Sequence, residues 1–356
     1  MNRHKSTGRR IALAATVALL VAACGGSDDG ASAPAPAAPA PAPAPADEPL
    51  VIGYAPSELA EEDFFGQFQV GLIAGLDSLG FEYQIIARAP SNPTAHDEQF
   101  NIVQDLITLG VDAIIVAPTG YAEQIASFQA VNAAGIPLFI TNFSRPDDEP
   151  DIDVLQYSAY SHLEGGEVNA AFLSTAFPSG TPVAFLRGIP GAIDDQRSLP
   201  VIAAFEAAGF NIVAQEVANY NRDEAFEQIQ RIMAAHPETE FVYAANSGMA
   251  GGAIAGLESM GLTPNEDVKV WGYGGTIEEL QNIVDGRQFG TVFRDPVEMG
   301  QNMAVALGQL RDGQADQIIP DFNATMQLLT SCEDVLEKVP AVAFGGEARK
   351  AELVVC

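Results

Sequence analysis

Few residues in this chain are of a type and spacing that could do chemistry, and those few favour binding over catalysis. Beyond the first residues there are three histidines, His96, His162 and His236, and none has a neighbour at metal-ligand spacing. His162 stands at a helix start, as a cap or a cleft-rim residue, and His236 precedes a loop proline. The acid-rich run 147–153, DDEPDID, lacks the spacing of an EF-hand calcium loop and reads as an exposed loop. Gly248-Met249-Ala250-Gly251-Gly252 follows a strand and opens a helix, the position of a dinucleotide loop. It lacks the G-x-G-x-x-G order, and the next strand offers no acid for a ribose. The expectation is a protein that is not an enzyme and holds no metal or cofactor. What remains are polar and aromatic residues where apolar runs stop: Thr141-Asn142-Phe143-Ser144-Arg145, Asn246, and Gly272-Tyr273-Gly274-Gly275. Asparagine offers both a donor and an acceptor. Aromatic faces stack on the CH surface of a small ligand.

The elements that place these residues are legible around 106–145. Residues 112–116 form a short apolar run closed by Pro118, too short for a helix. Residues 121–134 carry Ile125, Phe128 and Val131 at three-residue spacing and stop at Gly135, with Pro137 forbidding continuation. Residues 137–140 give a second apolar strand, so the unit is strand, helix, strand in a parallel sheet buried on both faces. Ligands in such sheets sit beyond the carboxyl ends of the strands.

The same alternation runs from residue 50 to the strand at 154–158 and restarts at 182. Gly209-Phe210-Asn211-Ile212-Val213 echoes Gly80-Phe81-Glu82-Tyr83-Gln84-Ile85-Ile86, and the strand 241–244 ends at Asn246 as the earlier one ends at Asn142. Further helices are expected at 63–79, 92–109, 163–176, 194–208, 222–235, 247–260, 277–284 and 295–310. The fold class is α/β: two doubly wound parallel-sheet lobes with a cleft where their strand ends face each other. Strands near 318–322 and 325–329 are candidates to cross between lobes, and the stretch from Ser331 has no clear pattern.

The chain has 356 residues, which suits two domains plus appendages. Arg3, Lys5, Arg9 and Arg10 precede an apolar run at 11–23, the length of a signal-peptide core and short of a bilayer span. Its ending, Val21-Ala22-Ala23-Cys24, resembles the lipobox of bacterial lipoproteins. That resemblance implies cleavage before Cys24, acylation of its sulfur and anchoring at a membrane surface; the alternative is an ordinary secreted protein with a free Cys24. The Ala-Pro alternation of residues 24–48 reads as a semi-extended tether.

Without the leader, thirteen Lys and Arg face forty-seven acids, a net charge of −34 that excludes nucleic acid as a partner. The acids are dispersed, as on a solvated surface. Cys332 and Cys356 remain as an even pair, read as a disulfide stapling the last segment to the body, with two free thiols as the alternative.

In the order of these motifs, residues from about 50 to 330 resemble the periplasmic sugar-binding proteins of ABC importers, the ribose-binding type. Glu62-Asp63-Phe64-Phe65 looks like that family's Asn-Pro-Phe-Phe. Asp112 to Pro118 and Gly135-Ile136-Pro137 are similar to two of its strands, and Gly165-Gly166, Ala245-Asn246 and Gly272 to Thr276 stand at further family motifs. The resemblance implies three interlobe crossings forming a hinge. The N-terminal lobe is then expected at 49–158 plus 295–322, and the C-terminal lobe at 159–294 plus 323–356. It also implies a monomer outside the cytoplasm that closes on a small polar ligand and delivers it to importer membrane subunits, or presents it to a sensor kinase or chemoreceptor.

Ligand contacts are expected from Phe64, Phe65, Asn142, Phe143, Tyr160, Arg197, Asn246, Tyr273 and Arg294. The chain departs from the family pattern at three places. An Asp-Arg pair is replaced by Asn142-Phe143, an Asp by Gly274 and a Gln by Arg294. Two acids and one Arg that would clamp vicinal hydroxyls are absent, so an anionic ligand, a carboxylate or phosphate, stands as an alternative if two of Arg145, Arg197 and Arg294 face inward.

Overall fold

The structure, a computed structural model, describes residues 48–60, 64–146 and 151–356. The expected leader, Cys24, most of the expected Ala-Pro tether, Glu62, Asp63 and the first half of the acidic loop lie outside the described residues. The first lobe is laid down as β1 (Leu50–Ala55), α1 (Phe64–Leu79), β2 (Tyr83–Ala87), α2 (His96–Leu109), β3 (Ala113–Val116), α3 (Ile125–Ala133), β4 (Leu138–Thr141) and β5 (Gln156–Ala159). The second follows as α4 (His162–Ala176), β6 (Pro182–Arg187), α5 (Ala192–Ala208), β7 (Asn211–Val217), α6 (Arg222–Ala235), β8 (Phe241–Ala244), α7 (Ser247–Ser259), β9 (Lys269–Gly274), α8 (Ile277–Val284) and β10 (Gly290–Arg294). The chain ends with α9 (Pro296–Arg311), β11 (Asp321–Asn323), β12 (Met326–Leu329), α10 (Cys332–Lys338) and α11 (Glu347–Leu353).

Two sheets result, ordered β11-β5-β4-β3-β1-β2 and β12-β10-β9-β8-β6-β7. All pairings are parallel except β12 against β10. β3, β4 and β8 are buried at every residue because helices cover both faces, which is why they read as unbroken apolar runs. Helix starts are fixed by side-chain caps: Ser161, Asn221, Asn246, Thr276, Asp295 and Ser331 each accept from a backbone N–H in the first turn.

Two helices begin later than the sequence suggests. The expected start of α2 at 92 fails because the Asn92 side chain accepts from the N–H and hydroxyl of Thr94, a local turn that competes with the helix. Residues 121–124 form a turn before α3 begins at Ile125.

The chain passes between lobes three times, between Ala159 and His162, between Arg294 and Pro296, and between Asn323 and Met326. After the second passage α9 returns to the first lobe and packs on α1. At Gly71 and Gly300 the backbones of these helices approach so closely that a Cβ would collide with Val297 and with the Phe68 carbonyl, respectively. Phe68, Leu72 and Leu76 of α1 share a core with Met299, Met303 and Leu307 of α9.

The stretch after Ser331 is helical. Val335, Val339, Phe344 and Val354 pack on Leu280, Phe293, Val297 and Leu329, and a disulfide joins Cys332 to Cys356. Among the described residues no helix is long and apolar enough to cross a membrane, and no cluster of three metal-ligating side chains exists.

Candidate functional site

Two of the three passages deliver side chains to one place. Tyr160 leaves the end of β5 and Arg294 ends β10, each at the last residue before the chain changes lobe. Phe64 joins them from the first turn of α1 and Tyr273 from the carboxyl end of β9. The Arg294 guanidinium lies 4.2 Å from the Phe64 ring centre, 4.1 Å from that of Tyr160 and 5.1 Å from that of Tyr273. It is 3 % exposed, and its Nε and Nη1 donate to nothing. Burial holds this guanidinium well below the usual arginine pKa. Each cation–π contact contributes about 0.5–2 kcal/mol. Taking an ion out of water costs several kcal/mol, so the rings alone do not compensate well for the buried charge.

Beside this aromatic box a closed ring of four residues ties the lobes together. Arg197 of α5 donates from Nη2 to the Tyr160 hydroxyl at 2.9 Å and from Nε to His162 Nδ1 at 3.2 Å. Tyr160 in turn donates to Asn142 Oδ1 at 2.6 Å. Since His162 Nδ1 accepts, its Nε2 carries the proton and donates to the Asn142 carbonyl at 3.1 Å. Burial, then the Arg197 charge, hold His162 well below the ordinary histidine pKa, so it is neutral here. The third Arg197 nitrogen, Nη1, donates to the Ala245 carbonyl at 3.0 Å. Every Arg197 acceptor is therefore uncharged, and no carboxylate among the described residues pairs with Arg197 or Arg294.

Asn142 has φ of 68°, a left-handed conformation that a β-branched residue would resist and that aims its amide at Tyr160. The Tyr273 hydroxyl sits over Gly165, where any Cβ would strike it, and Tyr273 presents its ring to both guanidiniums. Gly165 of α4 is thus a seat for Tyr273.

Six of the nine residues expected at a ligand, Phe64, Asn142, Tyr160, Arg197, Tyr273 and Arg294, are gathered here. Phe65 packs edge-on behind Phe64 in the first-lobe core and its carbonyl accepts from Tyr54. Phe143 turns away, its ring 5.9 Å from Tyr121 in a separate core. Asn246 is engaged at both ends of its amide: it accepts from the Met249 N–H at 2.8 Å and donates to the Tyr220 carbonyl at 3.1 Å, so it caps α7 and holds a turn. Arg145 pairs with Asp321 and covers Tyr157.

Two residues of the cluster are not among the nine expected at a ligand. His162 is inside it rather than at its rim. Tyr220 lies under Arg197, ring centre 5.2 Å away, with a buried hydroxyl that has no partner and a strained φ of 58°. Asn219-Tyr220-Asn221 reads as an ordinary loop, and no local pattern marks it. Gly274, where the resemblance led to an acid, has no room for a side chain, since its Cβ would meet Ser247 Oγ. The carboxylate beside that turn, Glu279, is buried and accepts from Ser247 at 2.6 Å, Gly275 N–H at 2.7 Å and Gln288 at 2.9 Å. Burial pushes its pKa up despite these donors.

A two-lobed fold with an aromatic and cationic cluster at its hinge defines a class of binding proteins. The chain belongs to the periplasmic binding protein domain family, whose model matches residues 52–315. It is 27% identical over 220 residues to the ribose import binding protein RbsB of Bacillus subtilis, 62% of this chain and 70% of that relative. A solute-binding protein of an ABC transporter from Bacillus halodurans, solved with myo-inositol, is 26% identical and superposes with a TM-score of 0.69, covering 82% of this chain and 98% of that one. One from Actinobacillus succinogenes, solved with D-allose, is 25% identical with a TM-score of 0.69 over 81% of this chain and 99% of its own. The protein is a solute-binding protein and not an enzyme.

Proposed function

We propose that this chain is a monomeric extracytoplasmic receptor that captures a small polyhydroxy solute of the sugar or polyol class and delivers it to an ABC importer, anchored by acyl chains on Cys24. The observation that carries the reading is the cluster at the hinge. Phe64, Tyr160 and Tyr273 offer ring faces for CH surface, while Asn142, Tyr220 and Arg294 offer polar groups, and these residues come from both lobes. The named ligands of its relatives, ribose, D-allose and myo-inositol, support the solute class.

Closing the lobes buries the solute and creates the surface that a membrane transporter recognises, so capture and delivery favour the same state. A thermal-shift screen of sugars, polyols and sugar acids, followed by small-angle scattering with the best hit, tests this. A rise in melting temperature with a smaller radius of gyration is expected. Scattering that is the same with and without every bound hit would sink the closure mechanism.

A further inference from the structure

We infer that the solute carries a carboxylate and that Arg294 receives it. This rests on the receptor reading and narrows its ligand class to polyhydroxy acids. Arg294 is the most isolated charge of the site: it is 3 % exposed, boxed by three aromatic rings, and two of its three nitrogens donate to nothing. A guanidinium removed from water requires a matching anion, and the described chain supplies none. Asn142 is a neutral amide at one strand exit, Gly274 excludes any side chain at another, and the Glu279 oxygens are taken by Ser247, Gly275 and Gln288.

Arg197 is less suited than Arg294 to this role, because its Nε, Nη1 and Nη2 each already donate to a neutral acceptor. One guanidinium with free donors suits a single negative charge with two oxygens, which favours a carboxylate over a phosphate ester. The Phe64 and Tyr160 rings flank the guanidinium and leave the rest of the solute an apolar wall. The buried, partnerless Tyr220 hydroxyl adds one further polar group near Arg197 for the solute.

The experiment is calorimetric titration of the full chain with matched probes at fixed pH and salt: D-galactose against D-galacturonate, D-ribose against D-ribonate, myo-inositol, and ribose 5-phosphate. One sugar acid is expected to bind about 100-fold or more tightly than its neutral counterpart. Arg294→Gln is expected to abolish that preference. Arg294→Lys, checked for folding by circular dichroism, keeps the charge and is expected to retain part of the preference.

A neutral sugar bound more tightly than its acid would overturn the inference and leave the receptor standing, with the counter-charge then sought in Glu62 or Asp63. Binding of the phosphate ester alone would overturn the carboxylate. Silence from every probe would remove the receptor reading and this inference with it. The matched pairs on the unaltered chain decide the matter even if the glutamine variant does not fold.

Discussion

The neutral state of His162 is a condition for the interlobe ring of hydrogen bonds. Its Nδ1 accepts from Arg197, and a proton there would replace that bond by a repulsion between two cations. The pKa of the folded form lies below the ordinary value of about 6.5, so the unfolded chain takes up the proton first as the pH falls. Stability contributed by the neutral ring is thus present above about pH 6.5 and lost on acidification toward the depressed folded value. His162→Gln keeps an acceptor for Arg197 and a donor for the Asn142 carbonyl without the titration. The expected outcome is that the urea-unfolding free energy of the wild type, minus that of the glutamine variant, falls by up to about 1.4 kcal/mol per pH unit below 6.5. Other groups cancel in the difference, including Glu279, whose raised pKa acts in the opposite sense. A difference that stays flat between pH 7.5 and 5 would show that His162 is not held neutral by its surroundings.

At the scale of elements, the pairing of α1 with α9 sets the site. Phe64 opens α1 and Arg294 lies next to the Asp295 cap of α9, so the register between these helices fixes the 4.2 Å separation of ring and guanidinium. Gly71 is one of two points of close approach, its missing Cβ facing the Val297 backbone rather than a flexible side chain. Gly71→Ala is expected to cost about 1–3 kcal/mol, the usual penalty for overpacking, and to weaken solute binding about tenfold by moving Phe64. Gly252→Ala is the control. It meets the Arg222 carbonyl between α6 and α7, so it should lower stability in urea unfolding without changing affinity in calorimetry. Equal affinity in both variants would detach the site from the helix register.

The apolar strands and their helices were legible in the sequence because burial on both faces leaves continuous Val, Ile, Leu and Phe runs. Sheet strands also expose their end residues in a predictable place, so Asn142 and Tyr273 could be picked out. The rest was not legible because it depends on tertiary direction. Phe143 and Asn246 stand at strand exits but turn to Tyr121 and to the α7 cap. Tyr220 reaches the cluster from a turn in left-handed conformation that sequence pattern does not signal. The C-terminal helices were opaque for a related reason: Val335, Phe344 and Val354 are buried by two lobes and a disulfide, not by a periodic face of their own.

On the scale of the whole molecule, charge governs stability as much as packing does. Forty-seven acids against seventeen Lys and Arg leave a formal net charge of −30 on the chain. Apart from Asp194, buried against Arg187, most acids that pair do so at the surface, as Asp105 does with Arg88 and Glu258 with Arg287, and exposed pairs of this kind contribute about 0–1 kcal/mol each. Most acids therefore repel one another across the surface, and this repulsion is relieved when the chain unfolds and expands. Raising potassium chloride from about 0.01 M to 1 M shortens the screening length from about 30 Å to about 3 Å. The melting temperature at pH 7.5 is expected to rise by several degrees over that range. Chloride is the appropriate salt because sulfate would also strengthen apolar burial by exclusion and mix two effects. The surface pairs are weakened by the same screening, so the sign of the change weighs their attraction against the net repulsion. A melting temperature that falls with salt would mean that local ion pairing outweighs the global charge, and that the acids are arranged as partners rather than dispersed.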